Sequence, residues 1–287
     1  MSFLNFKFED MKTTREKLGL LKLRFKELPF RPCPEINRPA INPVKNFKIP
    51  NICYQTWETN TFGKNHVNEL RYLRELNPEI EFIFFDKDER EAYMEENWGS
   101  HDIFKVYINS KFGVMQSDIF RHCILFDRGG FYIDANKKLN NPLISLINKG
   151  TSALLFFDGG ETAETTRFLP PSNIISSFPN HYLWTSFMGY EKNHPILKNL
   201  ISSICEFYPY FKNKVLENPR LTIISYTGPW ALTKAAWEYM SSLDNFENFE
   251  QLVINSSDTK SWYMKGSEAR FLQEPHYLYS KNEVIVT

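Results

Sequence analysis

The sequence predicts an α/β domain, and three observations carry that prediction. From Ile49 onward, short apolar β-prone runs alternate with helix-patterned segments. The connections between them are short, which favours right-handed strand-helix-strand units with parallel strands. Two of the runs close on an acid, Asp86 and Asp134, at the carboxyl ends where such sheets collect their ligands.

Taken in order, residues 1–46 stand apart as an extension and 47–287 form the domain proper. The stretch TREKLGLLKLRFKEL sets Leu18, Leu21 and Phe25 at helical spacing among Lys17, Lys22, Arg24 and Lys26, which predicts a basic amphipathic helix. Packing on its own domain or on a partner subunit is the simpler expectation; docking to other synthesis proteins or to a membrane surface fits the same pattern. Prolines 29, 32, 34, 39 and 43 then predict an extended connector. IPNICYQTW reads as a strand, NHVNELRYLRELNP as a helix ended by Pro78, and IEFIFFD as a second buried strand. KDEREAYMEENW predicts a helix, and SKFGVMQSDIFRHCILFDRGG a buried helix ending near Gly129, with the strand GFYID directly after it. TSALLFFD is a further strand, PILKNLISSICEFY a helix, and GPWALTKAAWEYMSS a helix with Pro229 in its first turn.

Composition narrows the function classes. Lysine plus arginine and aspartate plus glutamate stand at 34 each, so no global basic field draws the chain to nucleic acid. Aromatic residues make up 16% of the chain, which suits a thick core or a sugar-stacking cleft. Cys33, Cys53, Cys123 and Cys205 are widely spaced and form no CxxC pair, so reduced thiols in a cytoplasm are expected. The first residues carry Lys7, Glu9, Asp10 and Lys12 where a secretory leader would be apolar, and no stretch has the length of a membrane span. The expected location is cytoplasmic, with peripheral membrane contact through the N-terminal helix.

The chemistry centres on GGFYIDANKK. Side chains two apart on a strand share a side, so Asp134 and Asn136 would leave the strand end together and offer a carboxylate and an amide oxygen, half of a cation site. Asp118 and Arg121 are three apart on the preceding helix and can face the same way, converging on Asp134. Each has a plainer reading, Asp118 and Arg121 as a helix ion pair and Asp134 as a turn cap. Asp158 in FFDGGE ends the next strand, where it would touch donor or acceptor or cap a loop. No GxGxxG follows the first strand, which argues against a dinucleotide oxidoreductase, and no HExxH or Ser-His-Asp arrangement points to hydrolysis.

The ordered set IPNICYQTW, NPEIEFIFFD, SDIFRHCILFDRGGFYIDAN, GYEKNHPIL and TGPWALT resembles family 32 glycosyltransferases. This DXD-containing sugar-transfer group includes fungal mannosyltransferases, α-1,4-galactosyltransferases and bacterial capsule enzymes. The likeness runs from about residue 47 to 235 and implies a GT-A fold, with a Rossmann-like, mixed and mainly parallel sheet flanked by helices. It also implies that Tyr54, Gln55, Thr56 and Trp57 lie against the nucleotide base, with Tyr54 standing where the family usually has His. Asp118 and Arg121 would reach the donor sugar and its phosphates, Gly228 and Pro229 would flank the acceptor cleft, and Asp134 and Asn136 would hold Mn²⁺ or Mg²⁺. Asn136 replaces the second acid of the motif, and His276 in EPHYLYSKN is the candidate further ligand. The implied activity is retaining, metal-dependent transfer of a hexose from a nucleotide sugar to a saccharide or glycolipid acceptor. A UDP-sugar is the favoured donor and GDP-mannose the alternative. A catalytically degenerate binding protein of the same fold is the competing reading, favoured by the neutral Asn136.

Overall fold

The computed structural model describes residues 14–157, 182–243, 252–256, 264 and 280–287 of the 287-residue chain. Its helices are α1 (Thr14–Glu27), α2 (Lys64–Leu76), α3 (Lys87–Trp98), α4 (Asp102–Asn109), α5 (Gly113–Arg128), α6 (Pro195–Phe211), α7 (Pro219–Tyr226) and α8 (Pro229–Ser241). Its strands are β1 (Ile52–Thr56), β2 (Glu81–Phe85), β3 (Gly130–Ile133), β4 (Ala153–Phe157), β5 (Phe187–Tyr190), β6 (Val215–Leu216), β7 (Leu252–Ser256) and β8 (Glu283–Val284). Six of them form one sheet in the order β2-β1-β3-β5-β4-β7. β1 pairs in parallel with β2 and β3, β4 pairs in parallel with β7, and β5 alone runs antiparallel to its neighbours β3 and β4. The predicted α/β class and its mainly parallel sheet are therefore present. The reversed β5 makes the sheet mixed.

Strand alternation divides the core into two layers. Tyr54 and Tyr132 point to the face covered by α5, where they pack with Ile119, Phe120 and Cys123. Cys53, Phe82, Phe84, Phe131 and Ile133 point to the other face, against Val67, Leu70 and Leu73 of α2. Runs buried on both faces are what a parallel sheet between helix layers requires.

The N-terminal segment clamps α2 at both ends. Gly63, the residue before α2, has no capping side chain; the fully buried Glu27 at the end of α1 accepts from the backbone N–H of Asn65 at 2.9 Å and of His66 at 3.3 Å instead. A carboxylate there satisfies two orphan donors and complements the positive end of the helix. A side-chain carbon on Gly63 would fall 2.4 Å from the Glu27 carboxylate, so a residue without Cβ lets the two segments meet. At the other end of α2, the Arg38 guanidinium donates to the carbonyls of Arg74, Asn77 and Ile80. The proline-rich stretch is not simply extended: it turns where Ile36 N–H bonds the Cys33 carbonyl at 3.1 Å, and it is docked, with Arg31 pairing with Phe62, Arg38 with Phe82, and Cys33 and Ile36 buried.

Sequence periodicity did not foreshadow α4, α7, β5 or β7. Two are helices of eight residues and two are strands of four or five, too short to show a period above the noise of composition. Asp86, at the end of β2, proves to form a capping box for α3: its side chain accepts from the Glu89 N–H at 3.0 Å, and the Glu89 carboxylate accepts from the Asp86 N–H at 2.9 Å. It takes no further part in the argument for a site.

The turn from α5 into β3 requires glycine. Gly129 and Gly130 have φ of 67° and 101°, and a Cβ on Gly130 would lie 2.6 Å from the Ile52 carbonyl oxygen of the paired strand. We expect Gly130→Ala to cost about 3 kcal/mol, from left-handed strain plus a backbone clash. Gly19→Ala, on the exposed α1 with nothing within 4 Å of the added carbon, should not destabilise. Urea unfolding midpoints of the two variants measure the difference.

Candidate active site

β3 ends at Ile133, and the chain turns at once. Lys137 N–H donates to the Asp134 carbonyl at 2.8 Å, so residues 134–137 form a tight turn. Strand alternation therefore does not bring Asp134 and Asn136 to one side, as the sequence led us to expect; any convergence is made by the turn. The turn is held from three sides: Asp134 N–H bonds the Ser186 carbonyl at 2.9 Å, the Asn136 carbonyl accepts from Met264 N–H at 2.7 Å, and His66 Nε2 meets the Ala135 carbonyl at 2.6 Å. A carbonyl only accepts, so Nε2 of His66 carries the proton.

Beneath the turn lies a network of buried charge. Asp118 and Arg121 are one turn apart on α5 and 3.2 Å apart, and the same guanidinium reaches Asp134 Oδ1 at 3.2 Å. Its Nε donates to the Ser117 carbonyl at 3.2 Å and its Nη1 to the Thr185 carbonyl at 3.1 Å, while the group lies over the Tyr132 ring at 4.7 Å. The Tyr132 hydroxyl donates to Asp134 Oδ1 at 3.1 Å. Strand alternation accounts for this contact, because Tyr132 and Asp134 leave the α5 face of the sheet two residues apart. Thr227, between α7 and α8, donates its hydroxyl to Asp118 Oδ2 at 3.2 Å. His122 Nε2 holds the Thr227 carbonyl at 2.9 Å, and burial drops His122 to about 3, so this imidazole is neutral and donates.

Burial pushes the Asp118 carboxyl up to about 7, against the pull of Arg121 and with the added repulsion of Asp134. Burial alone would weaken Arg121 as a base, but the carboxylates led by Asp134 outweigh it and hold the guanidinium charged. Both Asp118 oxygens are engaged, one by Arg121 and one by Thr227. That makes Asp118 a brace for the arginine. Through its contact with Asp134 Oδ1, the same guanidinium steadies the carboxylate at the turn.

The residues present suit a hard cation. Asn136 is 4% exposed, and its side-chain oxygen has no partner among the described residues. A buried amide oxygen left bare costs free energy that a ligand would recover. The Asp134 side chain is 26% exposed and commits Oδ1 to the network, which leaves Oδ2 available to a ligand. Among the described residues there is no cluster of three or more His, Cys, Asp or Glu side chains; a ligand's own oxygens would add to these two in the shell of a hard cation.

The other sequence-derived residues distribute unevenly. Tyr54 and Gln55 are fully buried: Tyr54 packs beside Phe85, and Gln55 accepts from Arg74 on the α2 face at 2.9 Å. Thr56 is buried at the end of β1 and bonds the Phe85 carbonyl at 2.8 Å. Of the four, only Trp57 is partly exposed, with its ring edge against His66 at 5.6 Å. A side-chain contact from Tyr54 or Gln55 to a base would require the core to open. Gly228 precedes α8 and Pro229 is its first residue, placed beside α5 by the Thr227 bonds. Asp158 and His276 lie outside the described residues.

Sequence reasoning missed Thr227, Tyr132 and His66. Thr227 was visible inside TGPWALT, but nothing in one sequence says that its hydroxyl meets a helix 109 positions earlier. His66 read as one polar residue of an amphipathic helix.

Residues 63–153 match the family described as glycosyltransferase sugar-binding region containing DXD motif. The chain is 22% identical over 206 residues to inositol phosphoceramide mannosyltransferase 3 of Schizosaccharomyces pombe, covering 72% of this chain and 49% of that protein. It is 24% identical to the initiation-specific alpha-1,6-mannosyltransferase of the same yeast, covering 71% and 53%. To the mannosyl phosphorylinositol ceramide synthase CSH1 of Saccharomyces cerevisiae it is 23% identical, covering 74% and 49%. The chain thus spans about half the length of these relatives. Among solved structures it is similar to the PaToxG glycosyltransferase, with TM-score 0.47 and 13% identity, covering 80% of this chain and 78% of that one.

Two outcomes test the geometry. His66→Ala should weaken Mn²⁺ binding, measured by calorimetry with UDP or GDP present, by about tenfold, the worth of one buried hydrogen bond to the turn. His66→Gln, which keeps an N–H to offer, should recover part of the loss. For Asp118, the folded-state pKa lies above the unfolded one, so the folded protein holds the extra proton and stability falls as pH rises from about 4 to about 7. The stability of the wild type relative to Asp118→Asn should fall across that window and level off above it, as read by urea unfolding at stepped pH.

Proposed function

We propose that this chain, which matches the DXD-motif glycosyltransferase family over residues 63–153, transfers a hexose from a nucleoside-diphosphate sugar to a saccharide or glycolipid acceptor. The reaction uses a divalent cation and retains configuration at the anomeric carbon. The observation that carries this reading is the turn at the end of β3, where Asp134 is held by a braced arginine and the buried Asn136 oxygen, two residues on, has no partner among the described residues. Asp134 and Asn136 would hold Mn²⁺ or Mg²⁺. When bound, the cation offsets the negative charge that develops on a departing diphosphate.

The chain's own residues supply position and field. Arg121 fixes the Asp134 carboxylate and keeps a positive charge just beneath the site, while Asp118, Thr227 and the Ser117 and Thr185 carbonyls hold that arginine in one orientation. A field arranged before the reaction costs no reorganisation during it. Retention by front-face attack lets the leaving diphosphate take the acceptor's proton, so the reaction calls for no protein nucleophile. The names of the relatives support mannose as the sugar and an inositol phosphoceramide as one class of acceptor. GDP-mannose therefore stands beside UDP-sugars as donor.

One observation favours a second reading, a protein that binds nucleotide or sugar without turnover: Asn136 brings no charge to the cation. Transfer assays separate the two. We expect metal-dependent thermal stabilisation by one nucleoside diphosphate, GDP or UDP, and transfer from its sugar. Asp134→Ala should lower transfer at least about a hundredfold with the melting temperature of the free protein preserved. Asn136→Asp should tighten metal binding. Nucleotide binding with no transfer to mannosides, mannosyl lipids or inositol phospholipids would establish the binding-protein reading, and no nucleotide binding at all would sink both.

A further inference from the structure

The outward face of α1 is not explained by the fold. Leu18, Leu21 and Phe25 recur at helical spacing, and Leu28 follows just past the helix end. Leu18 is 53%, Phe25 72% and Leu28 47% exposed. An isolated exposed leucine means little, whereas an aligned stripe with a phenylalanine at its centre marks a surface meant to be covered. The helix cannot roll to bury this stripe on its own domain. Glu27, about 200° round the helix from Phe25, is fully buried and bonded to the first turn of α2. That contact fixes which side faces in, and Phe25 is left facing out.

The flanks of the stripe are basic. Lys22 and Lys26 border it on one side and are exposed, while Arg24 lies on the other side over the Phe30 ring at 5.7 Å. None of the three forms an ion pair with a described residue. The charge is local, because the chain as a whole is formally neutral.

We propose that this face of α1 docks on the surface of an anionic lipid bilayer. Leucine and phenylalanine side chains enter the headgroup boundary, and the long lysine and arginine side chains reach outward to phosphate and carboxylate headgroups. A second copy fits poorly. A two-fold dimer through the stripe would bring the basic flanks of the two copies together. Docking does not require a spanning segment; among the described residues no helix is long and apolar enough to cross a membrane. The same buried carboxylate that orients α1 caps α2, and His66 of α2 bonds the Ala135 carbonyl in the turn of the candidate site. A bilayer held by α1 would therefore lie in a fixed relation to that turn.

Co-sedimentation of the full chain with phosphatidylcholine vesicles, with and without phosphatidylserine, tests this without donor, acceptor or metal, so its failure would leave the transferase reading untouched. Binding is expected only when phosphatidylserine is present, and it should weaken as salt rises. Lys22→Glu with Lys26→Glu should lower the partition by about 30-fold or more. Leu18→Ser with Phe25→Ser should abolish stable binding, and unchanged melting temperatures would show that both variants fold. Equal partition onto neutral vesicles, no partition onto either kind, or a lipid-free dimer that the Leu18 and Phe25 changes convert to monomer would each overturn the proposal.

Discussion

The candidate site depends on one buried cation placed between two carboxylates. Taking a guanidinium out of water is expensive, and Arg121 recovers the cost through an Asp118 oxygen, an Asp134 oxygen and two backbone carbonyls. Remove it and two acids face each other across a low-dielectric gap, with Asp118 already forced up by burial. The network is therefore poor evidence of surplus stability and good evidence of specificity. It fixes the direction of one carboxylate, Asp134, at the point where the sheet opens to solvent. Thr227 extends the same logic to the α7–α8 connection, because its hydroxyl and carbonyl tie that turn to Asp118 and His122 on α5.

A second chain of contacts reaches the turn from the opposite layer. The N-terminal segment puts an acid at the positive end of α2 and a base at its negative end, in Glu27 and Arg38. Both act on a helix whose first turn carries His66, and His66 carries the Ala135 carbonyl. The turn is thus gripped from the α5 face through Arg121 and Tyr132 and from the α2 face through His66. Ala135 is buried between Asp134 and Asn136, so a shift on either face would be felt by both.

The fold class was legible because long elements carry strong periods. α2, α5, α6 and α8 were readable from apolar spacing and from Pro78, Gly129 and Pro229 as punctuation. The reversed β5 was not, since FMGY shows no alternation and direction is decided by pairing with β3. In the site, Asp118, Arg121 and Asp134 were legible as a helix pair followed by a strand end, and they do meet. The turn that ends β3 one residue before Asp134 was hidden, because DANK has turn residues but no signal for where the ladder stops. Tyr54 and Gln55 were placed by family likeness at a ligand, yet alternation on a strand buried on both faces sends both into packed layers. Thr227 and His66 depended on tertiary contacts that no local pattern encodes.

The asparagine at 136 follows from this electrostatic setting. Its position is buried, and Arg121 already serves two carboxylates, so a third acid would add a further negative charge to desolvate. An amide offers the oxygen ligand with no charge to desolvate. On the proposed reading the site holds its cation weakly alone and well when a diphosphate supplies the missing negative charge and oxygens. By linkage, each then strengthens the other's binding by the same factor. Such a site takes up metal together with donor and loosens both once the product leaves, so exchanging the amide for an acid would trade that release for affinity.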